Sequence, residues 1–323
     1  VFALIGIATV ITAAAMRIFP LLLVGVVLIG AGNAGNLQSR FAATDLAAPA
    51  RRGRDLGTVV RATTVGGVLG PLMLTPGEML GGVIGMPRLT GAYLFSIVAQ
   101  LAALILYLVA LRPDPLRVAQ RIARAAVSAG PVAAEVDRPI AARYAVFATA
   151  ASHVVMASVM AMTPVHLSHL AHIGHGAATT DVTLLVGTTI ALHVLGMYGA
   201  SPLFGALADR LGRVQTVLIG QGLFAASLLT AAVWSDVQAA VVVALVLLGL
   251  GWSASTVAGS SLLTESTPVA LRPKRQGVSD TASAAVGAVL AGLVLGWLGY
   301  GALALFALGV VAATTLLSPL GRR

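Results

Sequence analysis

Apolar residues in this chain come in blocks of about twenty, broken by short polar connections in which arginine, glycine and proline collect. Ten blocks can be read, at 1–15, 19–40, 56–75, 90–111, 141–163, 182–206, 214–234, 238–260, 277–297 and 299–318. A helix rises about 1.5 Å per residue, so roughly twenty residues cross the ~30 Å hydrocarbon core of a bilayer. Each block predicts one transmembrane helix, the first cut short by the start of the chain. The expected fold class is an all-α polytopic membrane protein with ten visible transmembrane helices.

Composition agrees. Hydrophobic residues make up 58% of the 323 and charged residues 10%, against roughly 25% charged in an ordinary soluble domain; the mean hydropathy is +0.95. The absence of cysteine excludes disulfides, thiolate metal sites and a cysteine nucleophile. One lysine against nineteen arginines, with abundant alanine and glycine, points to a GC-rich bacterial genome.

The net charge of +9 raises nucleic acid as a partner, and its distribution rejects it. With Val1 on the cytoplasmic side, eighteen of the twenty basic residues fall in inner connections and helix ends, leaving only Arg17 and Arg88 outside. That is the positive-inside pattern, with both visible ends cytoplasmic. The arginines meet anionic lipid headgroups, and no aromatic-interleaved basic patch accompanies them.

Between two of the blocks stands Gly205-Ala206-Leu207-Ala208-Asp209-Arg210-Leu211-Gly212-Arg213. Glycines permit a short reversal, Asp209 suits the N-terminus of a neighbouring helix, and Arg210 and Arg213 are long enough to carry charge to the interface. The turn matches every specified position of G-x-L-x-D-R-x-G-R, and on it the chain resembles the major facilitator superfamily. That resemblance implies a twelve-helix secondary transporter of a small molecule, with Gly205, Leu207, Asp209, Arg210, Gly212 and Arg213 as a conformational latch.

A shift of 220 residues lays Thr44-Asp45 on Thr264-Glu265, Arg52 on Arg272, Arg54 on Lys274 and Gly57 on Gly277 without a gap. A parallel repeat of two six-helix halves is expected of such a transporter, yet only four blocks precede the linker. The first two helices are therefore expected to be missing, making this the last ten of twelve. The organisation expected is 1–111 as a partial N-terminal half of four helices, 112–139 as a basic cytoplasmic linker with a short interfacial helix, and 140–323 as the complete C-terminal half.

By the same resemblance the second, fifth and eighth visible helices line the cavity. Polar residues at membrane depth are costly and mark function, which makes Asn33, Asn36, Arg40, Gln100, His153, Met156, Trp252, Ser253 and Thr256 the candidate substrate cavity. His153 leads the stripe His153-x-x-Met156-x-x-x-Met160, and an imidazole changes charge near neutral pH. His153 and Asp280, the one carboxylate that enters a span, are the proton-coupling candidates; a neutral interhelical bond for the histidine and a helix-start role for Asp280 are the plainer alternatives. Gly66-x-x-x-Gly70-Pro71 resembles the front of the drug:proton antiporter motif, with small residues for close helix approach and a proline kink. Its closing pair is Leu74-Thr75 rather than two glycines.

Arg40-Phe41-Ala42-Ala43-Thr44-Asp45-Leu46-Ala47, Met162-Thr163-Pro164-Val165-His166 and Ser201-Pro202-Leu203-Phe204 resemble uncharacterised actinobacterial members of the superfamily, and bring no substrate. His166, His169, His172 and His175, read as an outer loop, lack a carboxylate or thiolate companion, so no metal site is expected. No nucleophile elbow, Walker sequence or dinucleotide fingerprint is present, so neither an enzyme nor a cofactor is expected.

The function expected is secondary transport across the cytoplasmic membrane by alternating access, as proton-coupled efflux by a bacterial inner-membrane antiporter working as a monomer. The alternatives are an uptake symporter of the same fold, a membrane sensor, or an inactive relic.

Overall fold

Helices form wherever the apolar blocks run, and glycines decide how closely they approach. The structure is a computed structural model. It describes residues 1–87, 90–128, 137–175, 179–279 and 306–323, with the backbone alone described at 33–39, 49, 71–72, 74–75, 123, 126–128, 161–175 and 179–186. Helix α1 (Phe2–Met16) ends at Arg17 in the left-handed conformation (φ 56°), and α2 (Phe19–Asp45) opens with Pro20 in its first turn, where the missing N–H costs nothing. The two helices touch through Gly6, Gly25 and Gly32; a Cβ on Gly6 would lie 2.7 Å from the Ile29 nitrogen.

Helix α3 (Arg52–Leu72) begins earlier than the apolar block and stops one residue past Pro71. A separate α4 (Leu74–Val83), where a loop was expected, leads to α5 (Tyr93–Ala110). The proline-bounded linker holds α6 (Pro115–Ser128), whose first turn is capped by Asp114 through the Leu116 N–H at 2.9 Å.

Helix α7 (Pro139–His175) has 37 residues, about 55 Å of helix. It continues through the segment read as a histidine-bearing outer loop: hydropathy marks where a helix leaves the bilayer, not where it ends. Helix α8 (Thr179–Val194) passes through a π-helical turn at Leu195–Gly199 into α9 (Ser201–Leu211). Pro202 cannot serve the Tyr198 carbonyl, which accepts the Ser201 hydroxyl instead. Helices α10 (Arg213–Val233) and α11 (Gln238–Glu265) follow, then helical residues 272–279 and 306–316.

Helix α11 is the centre of the bundle, buried along most of its length from Val241 to Thr264. It meets α10 where Gly220 faces the Gly251 carbonyl and Ser255, and α8 where Gly249 lies under the His193 carbonyl. Among the described residues, five stretches are long and apolar enough to cross a membrane: Tyr93–Ile122, Pro139–Met160, Gly187–Leu211, Arg213–Val233 and Gln238–Glu265; Phe2–Met16, Phe19–Gly32 and Phe306–Arg322 are shorter apolar helices. The block at 277–297 falls mostly outside the described residues.

Candidate transport site and latch

The charged turn builds its contacts from both ends. Gly212, with φ 106°, lies where an L side chain is strained, and lets α9 reverse into α10. Across the turn, the Asp209 carboxylate receives the Gly53 N–H at 3.0 Å on Oδ1 and the Arg54 N–H at 2.9 Å on Oδ2. These are unsatisfied donors of the first turn of α3, where the helix dipole favours an anion. The contact falls at Gly53 and Arg54, ahead of the apolar block that begins at 56, because α3 starts at Arg52. Gly205 makes the approach possible, since a Cβ there would stand 2.2 Å from the Gly53 carbonyl, and one on Gly57 2.4 Å from that of Ser201.

Arg213 does not carry its charge outward, as the sequence suggested. Its guanidinium bridges Asp209 at 3.0 Å and Glu265 at 2.5 Å and donates to the Ala208 carbonyl. Arg210 is exposed and Leu207 half-buried. Close by, the Arg272 guanidinium faces Asp45 at 3.8 Å, with both side chains buried. Burial pushes the Asp45 carboxyl up to about 6, against the opposing pull of Arg272.

Deeper in the bundle the cavity candidates divide. His153 donates Nδ1–H to the Thr149 carbonyl at 2.9 Å, since a carbonyl can only accept. Its ring meets Trp252 edge to face at 5.3 Å, and Trp252 meets Tyr198 in the same way, also at 5.3 Å. Arg40 is 3% exposed, with its guanidinium 4.9 Å from the Phe41 ring centroid. The structure thus joins His153 of α7 to Trp252 of α11. Tyr198, which the sequence reading passed over, completes the group; its only local sign is a tyrosine between Gly196 and Gly199 just before Pro202.

The remaining candidates lie elsewhere. Thr256 is fully buried with its hydroxyl 3.4 Å from that of Ser152 on α7, which ties helix to helix. Met156 and Met160 pack against the apolar core around Phe224 and Leu248. Ser253 is buried, its hydroxyl without a partner among the described residues. Gln100 is exposed on α5, which packs on α1 and α4 and is not brought to the aromatic group. Asn33 and Asn36 lie in α2, whose backbone alone is described there; Asp280 lies outside the described residues. Gly66 and Gly70 do not mediate close approach: a Cβ on either meets nothing within 4 Å among the described residues, and Gly67 is the one packed, against Val194. His193 bonds the Leu245 carbonyl at 2.7 Å, joining α8 to α11.

A family profile described as Major Facilitator Superfamily matches residues 145–321, more than half of the sequence. The uncharacterised MFS-type transporter YddS of Bacillus subtilis is 37% identical over 302 residues, covering 90% of this chain and 67% of that one. The chain belongs to the major facilitator superfamily. Also similar is the riboflavin transporter RfnT of Brucella anthropi, 28% identical over 245 residues, with 75% of this chain and 56% of RfnT covered. In fold, this superfamily chain is similar to the human organic anion transporter MFSD10 (TETRAN), with a TM-score of 0.67 over 98% of this chain and 75% of that one at 20% identity. As a superfamily member it is a multi-pass membrane transporter of a small molecule, not an enzyme.

Proposed function

We propose that the chain exports a small molecule across the cytoplasmic membrane by alternating access, in exchange for protons, with its arginine-rich end in the cytoplasm. The reading takes residues 1–111 as part of one moving half, 112–139 as the connecting linker and 140–323 as the other half, working as a monomer. One observation carries it: the Asp209 carboxylate of α9 holds the first turn of α3 across these parts. A contact of a few charge-assisted hydrogen bonds, each worth about 1.5–3 kcal/mol, is strong enough to hold one end shut and weak enough to open in every cycle. The arginine asymmetry supports the orientation, and the partial antiporter motif at Gly66, Gly70 and Pro71 supports export. His153 is the coupling residue favoured by its place beside Trp252; Asp280 is the second candidate.

The test is flux in proteoliposomes of known orientation under an imposed pH gradient. Substrate movement outward, driven by inward protons and lost in Asp209→Asn and in His153→Gln, supports export. Accumulation driven in the same direction as the protons would make the protein an uptake symporter.

A further inference from the structure

The linker between the proposed halves is tied near both of its ends to one stretch of chain. Its helix α6 presents Leu116, Ala119 and Gln120 on one face and Arg117, Arg121 and Arg124 on the other. The three arginines are exposed whereas Ala119 is buried, so the face with Ala119 is the one pressed on the bundle. There α6 touches α2 and the short 3₁₀ helix Val269–Leu271.

Beyond α6, the last residues of the linker meet the same stretch. Asp137 receives the Arg275 guanidinium on both oxygens, at 2.7 Å and 3.4 Å. The Arg138 N–H donates to the Ser266 carbonyl at 3.0 Å, and Arg275 donates to that same carbonyl at 3.3 Å. A bidentate guanidinium–carboxylate pair fixes orientation as well as distance. Residues 266–275 therefore hold the linker at two separate points, and both must break before it can leave. The internal repeat marks this footing as well: the 220-residue offset carries the 3₁₀ helix Pro49–Arg51 onto Val269–Leu271. The first copy is touched by α9 and the second by α6.

We infer that α6 is a strap carried by the half at 140–323: it stays on Val269–Leu271 throughout the cycle, lies against α2 while the arginine-rich end is shut, and parts from α2 when that end opens. The inference rests on the reading of the chain as two moving halves and adds a second closing contact to the Asp209 latch. The contact of α6 with α2 is the one alternating access must break, because α2 belongs to the other half.

Three exposed positions test it in a chain without native cysteine: Leu46 after α2, Ile122 on α6, and Leu271. Leu46→Cys with Ile122→Cys, and Ile122→Cys with Leu271→Cys, are each joined by the shortest bismaleimide that links them in the purified protein. The readout is hydrogen exchange at the Gly53 and Arg54 amides, which are bonded to Asp209 and are freed when that end opens. Joining α6 to α2 should slow their exchange at least about tenfold, and joining α6 to Leu271 should leave it within about twofold of the unlinked protein. Exchange indifferent to the first link, or slowed equally by the second, overturns the inference. Attachment is read separately: Asp137→Asn with Arg275→Gln should speed exchange across residues 115–122 at least about tenfold while α2 keeps its rate. Unchanged exchange in α6 overturns the inference too. These readouts need no substrate, which separates the strap from transport. Both expected results in a chain that moves no compound across proteoliposomes sink the transport reading and spare the strap. Flux lost in Asp209→Asn, with Gly53 and Arg54 indifferent to both links, sinks the strap and spares transport.

Discussion

The hydroxyls of Thr44 and Thr264 lie 3.3 Å apart, both buried, and the two residues are separated by the 220 positions that relate the internal repeat. Copies of one repeat position meet each other only on the axis that relates the copies. In the proposed two-half organisation this contact falls on the axis relating the halves, at the arginine-rich end.

This pair makes a lock that needs no background substitutions, because the chain has no cysteine. Thr44→Cys with Thr264→Cys should cross-link under mild oxidation, and transport should stop until a reductant is added. Efficient cross-linking with undiminished flux would show that this end need not open.

Asp209→Asn keeps the size of the latch and removes its charge. Flux should fall by at least about tenfold, while insertion and expression stay near those of the parent. Asp209→Glu, one methylene longer in a contact set by Gly53 and Gly205, should recover only part of it. Initial rates in proteoliposomes at matched protein content measure both.

Asp45 gives a pH dependence of definite sign. Its carboxyl is raised from 3.8 to about 6, so between those values the folded chain holds a proton that the unfolded chain has released. Stability from this group is then highest below about pH 4 and falls as pH rises to about 6, by on the order of 3 kcal/mol. Other groups titrate over the same range, so the comparison must be with Asp45→Asn. Thermal unfolding in detergent should show the parent losing stability relative to Asp45→Asn across that window; parallel curves would rule out the shift.

Glycines on the contact between α3 and α9 should not tolerate even a methyl group. Gly57→Ala and Gly205→Ala each place a Cβ within 2.4 Å of a backbone oxygen, at a cost of about 1–3 kcal/mol, and should favour the open end. Gly222→Ala, where a Cβ meets nothing within 4 Å, should be neutral or slightly stabilising. Accessibility of a cysteine at Thr44 to a water-soluble reagent distinguishes the two groups.

What the sequence made legible was whatever is repeated or local. The apolar blocks, the arginine asymmetry, the 205–213 turn and the 220-residue offset are patterns of residue type, and Asp209 could be assigned to a helix N-terminus because its chemistry has few other uses at a turn. His153 and Trp252 were visible as polar or aromatic residues at membrane depth. Their meeting with Tyr198 was not, because it depends on the phase of a helix altered by a π turn, which hydropathy does not record. Thr256 was read as cavity-lining from its polarity at membrane depth, yet a buried hydroxyl serves equally to bond α11 to α7. Arg213 was sent outward because its length permits it, whereas two carboxylates, one of them 52 residues away at Glu265, hold it in.

That π turn at Leu195–Gly199 has a consequence for how the protein moves. Upstream of it His193 is fastened to α11; downstream Ser201 and Gly205 rest on α3. A regular helix would tie the direction of one face rigidly to the other. The wider turn resets the angle between them, so that one continuous rod is riveted to α11 at one end and offers a smooth bearing of glycines to α3 at the other. Removing a single residue from 195–199 would turn that bearing away from α3 and leave the rivet untouched.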